Sequence, residues 1–380
     1  MRKRIVCLLL TLLTAALCLP VRAVELELSA PSYILMEKST GKVLCESDPH
    51  EKLRPASVTK IMTLLLVMEA LEDGRIGWDD TVCASAAAAA KGGSQIYLEE
   101  NEQLPLKEML KSVVVSSAND CACALAEHIA GSESAFVEKM NERAAELGMN
   151  DTHFTNCTGL DDEASAAEHL TSAYDIALMS RALLQHDAIR DYTTIWTDTV
   201  RDGSFGLSNT NKLIRFYDGA TGLKTGYTAA AGYCLSASAE RGGMELIAVV
   251  MHCSSSAERF ESAKALLNYG FSSYALITPE PEQPLAPVPV VLGRQESVMP
   301  VIEGSKSVLI DKSLCAGVET RTELCPSVTA PVEKGQQLGV LCVSSGGKLL
   351  AQLPLVAQQE VPALSYGDIL LRLLRTVCMG

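Results

Sequence analysis

A proline-rich segment divides the chain into two parts with different patterns of apolar residues. It runs from Thr278 to Pro284 and reads Thr-Pro-Glu-Pro-Glu-Gln-Pro. Because proline fixes the backbone and cannot donate to a helix or a sheet, such a segment serves as a semi-rigid connector. We therefore predict two folding units, at residues 24–277 and 285–361, joined by a linker at 278–284.

The first unit combines helical periodicity with a few short strands. A helix beginning near Ser57 has apolar residues at helical spacing and ends at Gly74. The glycines of Arg241-Gly242-Gly243 indicate a hairpin between two strands. This pattern favours a mixed α/β fold of the α+β type. Further helices are predicted at Lys107–Val115, Asp120–Ala130, Ala135–Leu147 and Glu258–Tyr269, and strands at Tyr33–Met36, Val43–Cys45, Gly232–Ala239 and Met244–Met251.

The second unit has short valine-rich runs separated by turn residues, which is typical of a small all-β domain. Its predicted strands are Val288–Leu292, Ser307–Ile310, Val328–Val332, Leu338–Val343 and Leu349–Leu353.

Residues 1–23 have the pattern of a secretory signal peptide. Three basic residues precede an apolar run from Ile5 to Leu19, and Val21-Arg22-Ala23 is an acceptable cleavage site. The alternative is an uncleaved membrane anchor, for which the run is short. A lipoprotein signal is disfavoured because Leu17, rather than a small residue, precedes Cys18.

The final segment, residues 364–379, is predicted to be an amphipathic helix at a membrane surface. It has a broad apolar face and a narrow polar edge that includes Asp368, Arg372 and Arg375. Such a helix suits the plane of a membrane interface and is too short to span the bilayer. The alternative is a helix docked on the β domain.

The charge of the chain disfavours nucleic acid as a partner. The formal net charge is −14, and removal of residues 1–23, which hold four basic and no acidic residues, makes it −18. Such a chain repels phosphate backbones. The scattered histidines and the spacing of the 13 cysteines predict neither a metal site nor a disulfide framework, and no cofactor is expected. Cys315 and Cys325 are the one pair that could join.

Ser57-Val58-Thr59-Lys60 places a hydroxyl and an amine three residues apart at the start of an apolar helix. Residues at this spacing share a helix face, so Lys60 can approach Ser57. A serine needs a base to become a nucleophile, and a lysine serves as a base only when burial or a second cation lowers its pKa. Without further motifs, Ser57 would be interpreted as a helix cap.

Two further motifs could supply a second cation, a proton relay and substrate-binding groups for Ser57 and Lys60. Lys224-Thr225-Gly226 offers the second cation, and its glycine could leave room for a substrate backbone beside a strand. Ser117-Ala118-Asn119 offers a hydroxyl for proton relay and an amide for a peptide carbonyl. Taken singly, the first motif is more often a surface turn and the second an ordinary helix start.

The three motifs in this order resemble those of serine D-Ala-D-Ala carboxypeptidases, the low-molecular-mass penicillin-binding proteins. The resemblance covers residues 30–275 and implies an antiparallel sheet with an inserted helical subdomain. It also implies extracytoplasmic cleavage of peptidoglycan stem peptides and inhibition by β-lactams. The implied catalytic residues are Ser57, Lys60 and Ser117, and the implied substrate-binding residues are Asn119, Lys224, Thr225, Gly226, Tyr227 and Arg259.

Two rival functions remain at this point. A β-lactamase or endopeptidase of the same fold is the first, and a non-catalytic wall-binding protein is the second. The sequence also departs from the family pattern at Asn156-Cys157-Thr158, where a proline-containing run is common, and at Ser256 and Tyr227.

Overall fold

The computed structural model describes residue 26 and residues 28–161 and 167–371. The predicted signal peptide lies outside these residues, as does the predicted C-terminal helix beyond residue 371. Residues 366–371 of that segment are helical, which agrees with the prediction for its first part.

A five-stranded antiparallel sheet forms the centre of the first unit. The strand nearest the N-terminus, Ser32–Glu37, pairs with Met244–Cys253 near the end of the unit. Ile34 lies opposite Val249 in this pair. Gly242 and Gly243 have φ values of 58° and 76° in the predicted hairpin turn, a conformation that glycine adopts without strain. From edge to edge the strands are Val43–Ser47, Ser32–Glu37, Met244–Cys253, Gly232–Arg241 and Ala220–Thr228.

A helical subdomain is inserted between the second and third of these strands in chain order. Its central helix, Lys60–Glu72, is buried around almost its whole circumference, as expected for an apolar helix inside a core. The other helices of the subdomain are Ala86–Ala89, Leu106–Val115, Asn119–Ala130, Glu133–Glu146, Ala173–Leu183, Arg190–Thr193 and Leu213–Phe216. Two short hairpins, Thr81–Cys83 with Gln103–Pro105 and Thr197–Val200 with Phe205–Ser208, complete it.

The helix Ser256–Ser273 packs on the other face of the sheet. Phe260, Leu267 and Phe271 lie in one apolar cluster with sheet residues such as Leu35 and Leu246. The sheet is therefore covered on both faces, which agrees with the α+β architecture that the sequence predicts.

The C-terminal unit is built from short strands, also as the sequence predicts. Its longest hairpin joins Gln337–Ser345 to Lys348–Ala357. The strand Tyr274–Ile277, which precedes the predicted linker, pairs with Val308–Asp311 of this unit. The remaining strands are Val288–Val291, Ser297–Val298, Pro300–Ile302, Val318–Leu324 and Val328–Thr329.

Ten cysteines lie in the described residues, and all ten are free thiols, including Cys315 and Cys325. Five are buried, as expected for small apolar side chains. Within the described ranges, no helix combines the length and the apolar character that a membrane crossing requires.

Candidate active site

Ser57 and Lys60 meet at the entrance to the central helix. Ser57 lies in a 3-10 turn, Ala56–Thr59, and the α-helix begins at Lys60 rather than at Ser57. The Lys60 Nζ atom is 2.9 Å from Ser57 Oγ and donates to the carbonyl of Thr158 at 2.8 Å. The pairing predicted from the spacing of the two residues is therefore present in the structure.

The surroundings of Lys60 lower the pKa of its amine. The side chain is fully buried, and this burial lowers its pKa from 10.5 to about 7. The carboxylate of Asp120 acts in the opposite direction but does not outweigh the burial. A hydrogen bond with the Cys123 thiol, together with burial, raises the pKa of Cys157 well above its usual range, so the Cys157 thiol is neutral beside Lys60. A large fraction of Lys60 is thus an uncharged amine near neutral pH.

Lys224 places a second amine in the same region. It is also buried, and its Nζ atom donates to the carbonyl of Thr225 at 3.1 Å. Burial, together with the positive charges of Lys60 and Arg259, lowers the pKa of Lys224 well below its ordinary value. Three basic side chains therefore lie close enough that their positive charges would repel one another, and an anionic ligand among them would stabilise their protonated forms.

The motif Lys224-Thr225-Gly226 belongs to the edge strand Ala220–Thr228, whereas the sequence pattern alone favours a surface turn. A Cβ atom on Gly226 would lie 2.5 Å from the carbonyl oxygen of Pro55. Gly226 thus makes room for the turn that carries Ser57. The sequence suggested room for a substrate backbone, but the turn fills this space. Thr225 Oγ1 is anchored by a hydrogen bond of 2.8 Å to Thr210 Oγ1.

Asn119 lies directly before Asp120, whose carboxylate acts on the pKa of Lys60. It is the first residue of the helix Asn119–Ala130, which begins one residue before the predicted helix. Its Nδ2 atom donates to the carbonyl of Gly92 at 2.7 Å, while its Oδ1 atom is buried and has no partner among the described residues. Ser117, just before it, is buried with a φ of 63°. The Ser117 hydroxyl makes no hydrogen bond to Ser57 or Lys60 within the described ranges.

Arg259 and Tyr227 lie near the C-terminal end of the edge strand. The Nη1 atom of Arg259 donates to the carbonyl of Gly226 at 2.9 Å, and its buried Nε atom has no partner in the described part of the chain. The guanidinium lies over the ring of Tyr233, with 5.3 Å between its central carbon and the ring centroid. Tyr227 is exposed and stacks on Tyr233, with 4.2 Å between the ring centroids.

Three supporting contacts were not predicted from the sequence. The first is the Thr158 carbonyl on Lys60, and the second is Asp120, which accepts the backbone N–H groups of Ile96 and Leu98 at 3.1 and 3.0 Å. The third is a contact of 2.7 Å between His169 Nε2 and Thr59 Oγ1. Because His169 Nδ1 accepts from the Thr155 N–H, Nε2 carries the proton and donates to Thr59. Only Asp120 carried a sequence signal, as an acidic residue directly after Ser117-Ala118-Asn119.

Comparison with known proteins identifies the family of this site. Residues 20–255 match the family described as D-alanyl-D-alanine carboxypeptidase. The chain belongs to that family. Residues 280–363 match the C-terminal domain of penicillin-binding protein 5. The chain is therefore a serine D-alanyl-D-alanine carboxypeptidase with an additional C-terminal β domain.

Similar proteins cover different shares of this chain. D-alanyl-D-alanine carboxypeptidase DacF of Bacillus subtilis is 43% identical over 90% of this chain and 88% of its own length. Penicillin-binding protein 5 of Haemophilus influenzae has a TM-score of 0.77 at 31% identity and covers 88% of this chain and 98% of its own. The ampicillin-bound penicillin-binding protein D2 of Listeria monocytogenes is 29% identical, with a TM-score of 0.57, and covers 65% of this chain and 99% of its own.

Proposed function

We propose that this carboxypeptidase cleaves peptidoglycan stem peptides through an ester on Ser57. The Ser57 oxygen attacks the carbonyl carbon of the penultimate D-alanine and passes its proton to the uncharged amine of Lys60. The bond from this carbon to the terminal D-alanine nitrogen then breaks, and the leaving amine takes up a proton. Water hydrolyses the ester, frees the shortened peptide and restores the Ser57 hydroxyl.

The observation that carries this proposal is the 2.9 Å contact between Lys60 Nζ and Ser57 Oγ in a site that lowers the pKa of the amine to about 7. An uncharged amine within hydrogen-bond reach of a hydroxyl is what a general base requires. A Lys60 that kept its ordinary pKa of 10.5 would carry a proton and could not accept another.

The other site residues bind the substrate in this proposal. The Asn119 Oδ1 atom has no partner among the described residues and would accept an N–H of the peptide, in place of the contact to a peptide carbonyl that the sequence suggested. Ser117 would relay the proton to the leaving amine. Lys224, Thr225 and Arg259 would bind the terminal carboxylate, which suits a region of crowded positive charge. The backbone N–H groups of Ser57 and Tyr227 would stabilise the oxyanion, with Gly226 keeping the edge strand close to Ser57.

β-Lactams would acylate the same oxygen, so a labelled penicillin tests the proposal directly. We expect wild-type protein to carry the label on Ser57 and to release D-alanine from a D-Ala-D-Ala peptide. The Ser57→Ala protein should do neither. Ser39→Ala is a matched control, because Ser39-Thr40-Gly41-Lys42 has the same spacing without the buried lysine, and this variant should keep both activities. Full labelling of the Ser57→Ala protein would refute the assignment of Ser57 as the nucleophile.

We also propose that the protein lies on the outer face of the cytoplasmic membrane, held there by residues 364–379. Arg294 Nε is 3.1 Å from Asp368 Oδ2, which ties the polar side of this segment to the β domain. Ile369, Leu370 and Leu371 remain exposed. An apolar face presented to solvent next to basic residues is suited to anionic lipid.

A co-sedimentation experiment with vesicles that contain anionic lipid tests this attachment. We expect the mature protein to pellet with the vesicles and a Leu370→Glu/Leu371→Glu variant to stay in the supernatant. Leu349→Glu is the matched control, since Leu349 is an exposed leucine of the β domain outside the segment. Equal binding of all three proteins would show that residues 364–379 do not provide the membrane contact.

A further inference from the structure

The Asn156 side chain holds together the loop that contacts Lys60. Its Oδ1 atom accepts three hydrogen bonds, from the N–H of Thr158 at 3.1 Å, the hydroxyl of Thr158 at 3.1 Å and the N–H of Gly159 at 2.7 Å. Its Nδ2 atom donates to the carbonyl of Leu160 at 3.0 Å. The side chain is buried, so these bonds have little competition from water.

This loop is docked on the central helix through two consecutive carbonyls. The carbonyl of Cys157 accepts from Thr63 Oγ1 at 2.6 Å, and that of Thr158 accepts from Lys60 Nζ at 2.8 Å. Lys60 and Thr63 are three residues apart and share one helix face. The loop is also pressed against the turn that carries Ser57, because a Cβ atom on Gly159 would lie 1.8 Å from the carbonyl oxygen of Ala56.

The Thr158 carbonyl has a specific consequence for a neutral lysine. An uncharged amine has two N–H groups and one lone pair, and a carbonyl oxygen can only accept. When Thr158 takes one N–H, rotation of the amine is restricted and its lone pair can face the Ser57 hydroxyl. A carbonyl displaced from this position would leave the amine free to turn its lone pair away from Ser57.

We propose that Asn156 is a positioning residue for acylation, which orients the Lys60 amine by fixing the Thr158 carbonyl against it. This inference rests on the proposed role of Lys60 as the base. It assigns a function to the segment Asn156-Cys157-Thr158, where the sequence departs from the family pattern.

Single-turnover acylation by a fluorescent penicillin separates positioning from folding. The amplitude of the reaction counts active sites, while its rate at saturating penicillin reports the chemical step. For Asn156→Ala we expect this rate to fall about 10- to 100-fold at alkaline pH, where Lys60 is uncharged, because small misplacements of a catalytic group have effects of this size. The amplitude per folded molecule and the penicillin concentration at half-saturation should stay close to wild type.

Two variants make the test specific. Asn156→Asp keeps an acceptor oxygen for Thr158 and Gly159 and should restore the rate at alkaline pH to about one third of wild type or more. The added negative charge should also shift the midpoint of its pH–rate profile to higher pH, because it stabilises the Lys60 ammonium.

Thr63→Val removes the anchor of the neighbouring Cys157 carbonyl. It should lower the melting temperature without a comparable loss of rate.

The inference would be overturned if Asn156→Ala acylated at the wild-type rate, or if Thr63→Val or Asn156→Asp were as slow as Asn156→Ala. Wild-type protein that forms no adduct on Ser57 would overturn the proposed function as well. The two failures are therefore distinguishable.

Discussion

At the scale of single residues, the chemistry depends on the protonation state of Lys60. Burial lowers the pKa of its amine to about 7, and below that pH the group is an ammonium without a lone pair. The acylation rate should therefore rise with pH and reach half of its maximum near pH 7. The measurement is the rate of penicillin acylation between about pH 5.5 and 8.5.

His169 cannot account for this rise, because burial lowers its pKa to about 4 and the ring stays neutral throughout that range. A rate that is constant across the range, or that falls as the pH increases, would contradict the assignment of Lys60 as the base.

Two glycines allow a second residue-scale prediction. Gly159 and Gly148 have positive φ values of 83° and 74°, so alanine is strained at both. Nothing lies within 4 Å of a Cβ atom on Gly148, whereas one on Gly159 would overlap the Ala56 carbonyl. In urea unfolding, the free energy of unfolding of Gly148→Ala should fall by about 1–2 kcal/mol. That of Gly159→Ala should fall by about 4 kcal/mol or more.

Gly159→Ala should also lose most of its penicillin binding, because the clash displaces the turn that carries Ser57. Gly148→Ala should keep full binding. Similar unfolding curves for the two variants would show that the loop can move away from Ala56 at little cost.

The sequence predicted the side chains of the site better than its backbone contacts. Lys60 and Ser57 are three residues apart, so helix geometry alone brings them together. The Thr158 carbonyl comes from 98 residues away, and a main-chain carbonyl has no signature in the sequence. The fit of Gly226 against Pro55 was missed for the same reason.

At the scale of elements, helices were predicted more reliably than the edge strand. Leu106–Val115 and Asn119–Ala130 have apolar residues at helical spacing, so their periodicity is readable. The strand Ala220–Thr228 contains two glycines and two polar residues of the site, and it lacks the apolar alternation of a half-buried strand. Its pairing with Gly232–Arg241, rather than its composition, makes it a strand.

Arg201 holds the segment of residues 91–102 that supports Asn119. Its guanidinium donates to the carbonyls of Ile96 and Tyr97 at 2.8 and 3.2 Å and pairs with Glu102 at 2.6 Å. The single ammonium group of lysine cannot make these three contacts in the same geometry. Arg201→Lys should therefore lose about 1–3 kcal/mol of stability, and hydrogen–deuterium exchange should become faster in peptides that cover residues 91–102.

Arg75→Lys is the control for this change, because the pair of Arg75 with Asp73 is exposed and contributes little. If exchange in residues 91–102 were unchanged in Arg201→Lys, the segment would be held by its other contacts, among them the hydrogen bond of 2.7 Å from the Asn119 N–H to the carbonyl of Ser94.

At the scale of the whole molecule, the two units are joined by more than the proline-rich segment. The strand Val308–Asp311 of the β domain pairs with Tyr274–Ile277, and Lys312 Nζ donates to the carbonyl of Phe271 at 2.5 Å. The change in composition at Thr278 predicted two units, but contacts across it could not be predicted because strand pairing partners are not encoded locally.

The strand Val308–Asp311 contributes to both cores. Successive side chains of a strand point to opposite faces, and accordingly Val308 and Ile310 lie in the core of the β domain while Leu309 packs with Phe271 in the core behind the catalytic sheet. One strand therefore contributes side chains to two separate cores. Leu309 and Ile310 are adjacent and both buried, so they form a matched pair of test positions.

Alanine at either position should remove a buried aliphatic side chain at a cost of about 2–5 kcal/mol. Leu309→Ala should lower the urea concentration at which penicillin binding is lost, because it leaves a cavity against the catalytic sheet. Ile310→Ala should leave that midpoint near wild type and destabilise the β domain instead. In the absence of urea both proteins should bind penicillin fully, because neither side chain belongs to the group of residues around Ser57. Equal shifts of the binding midpoint in the two variants would mean that the units unfold as one.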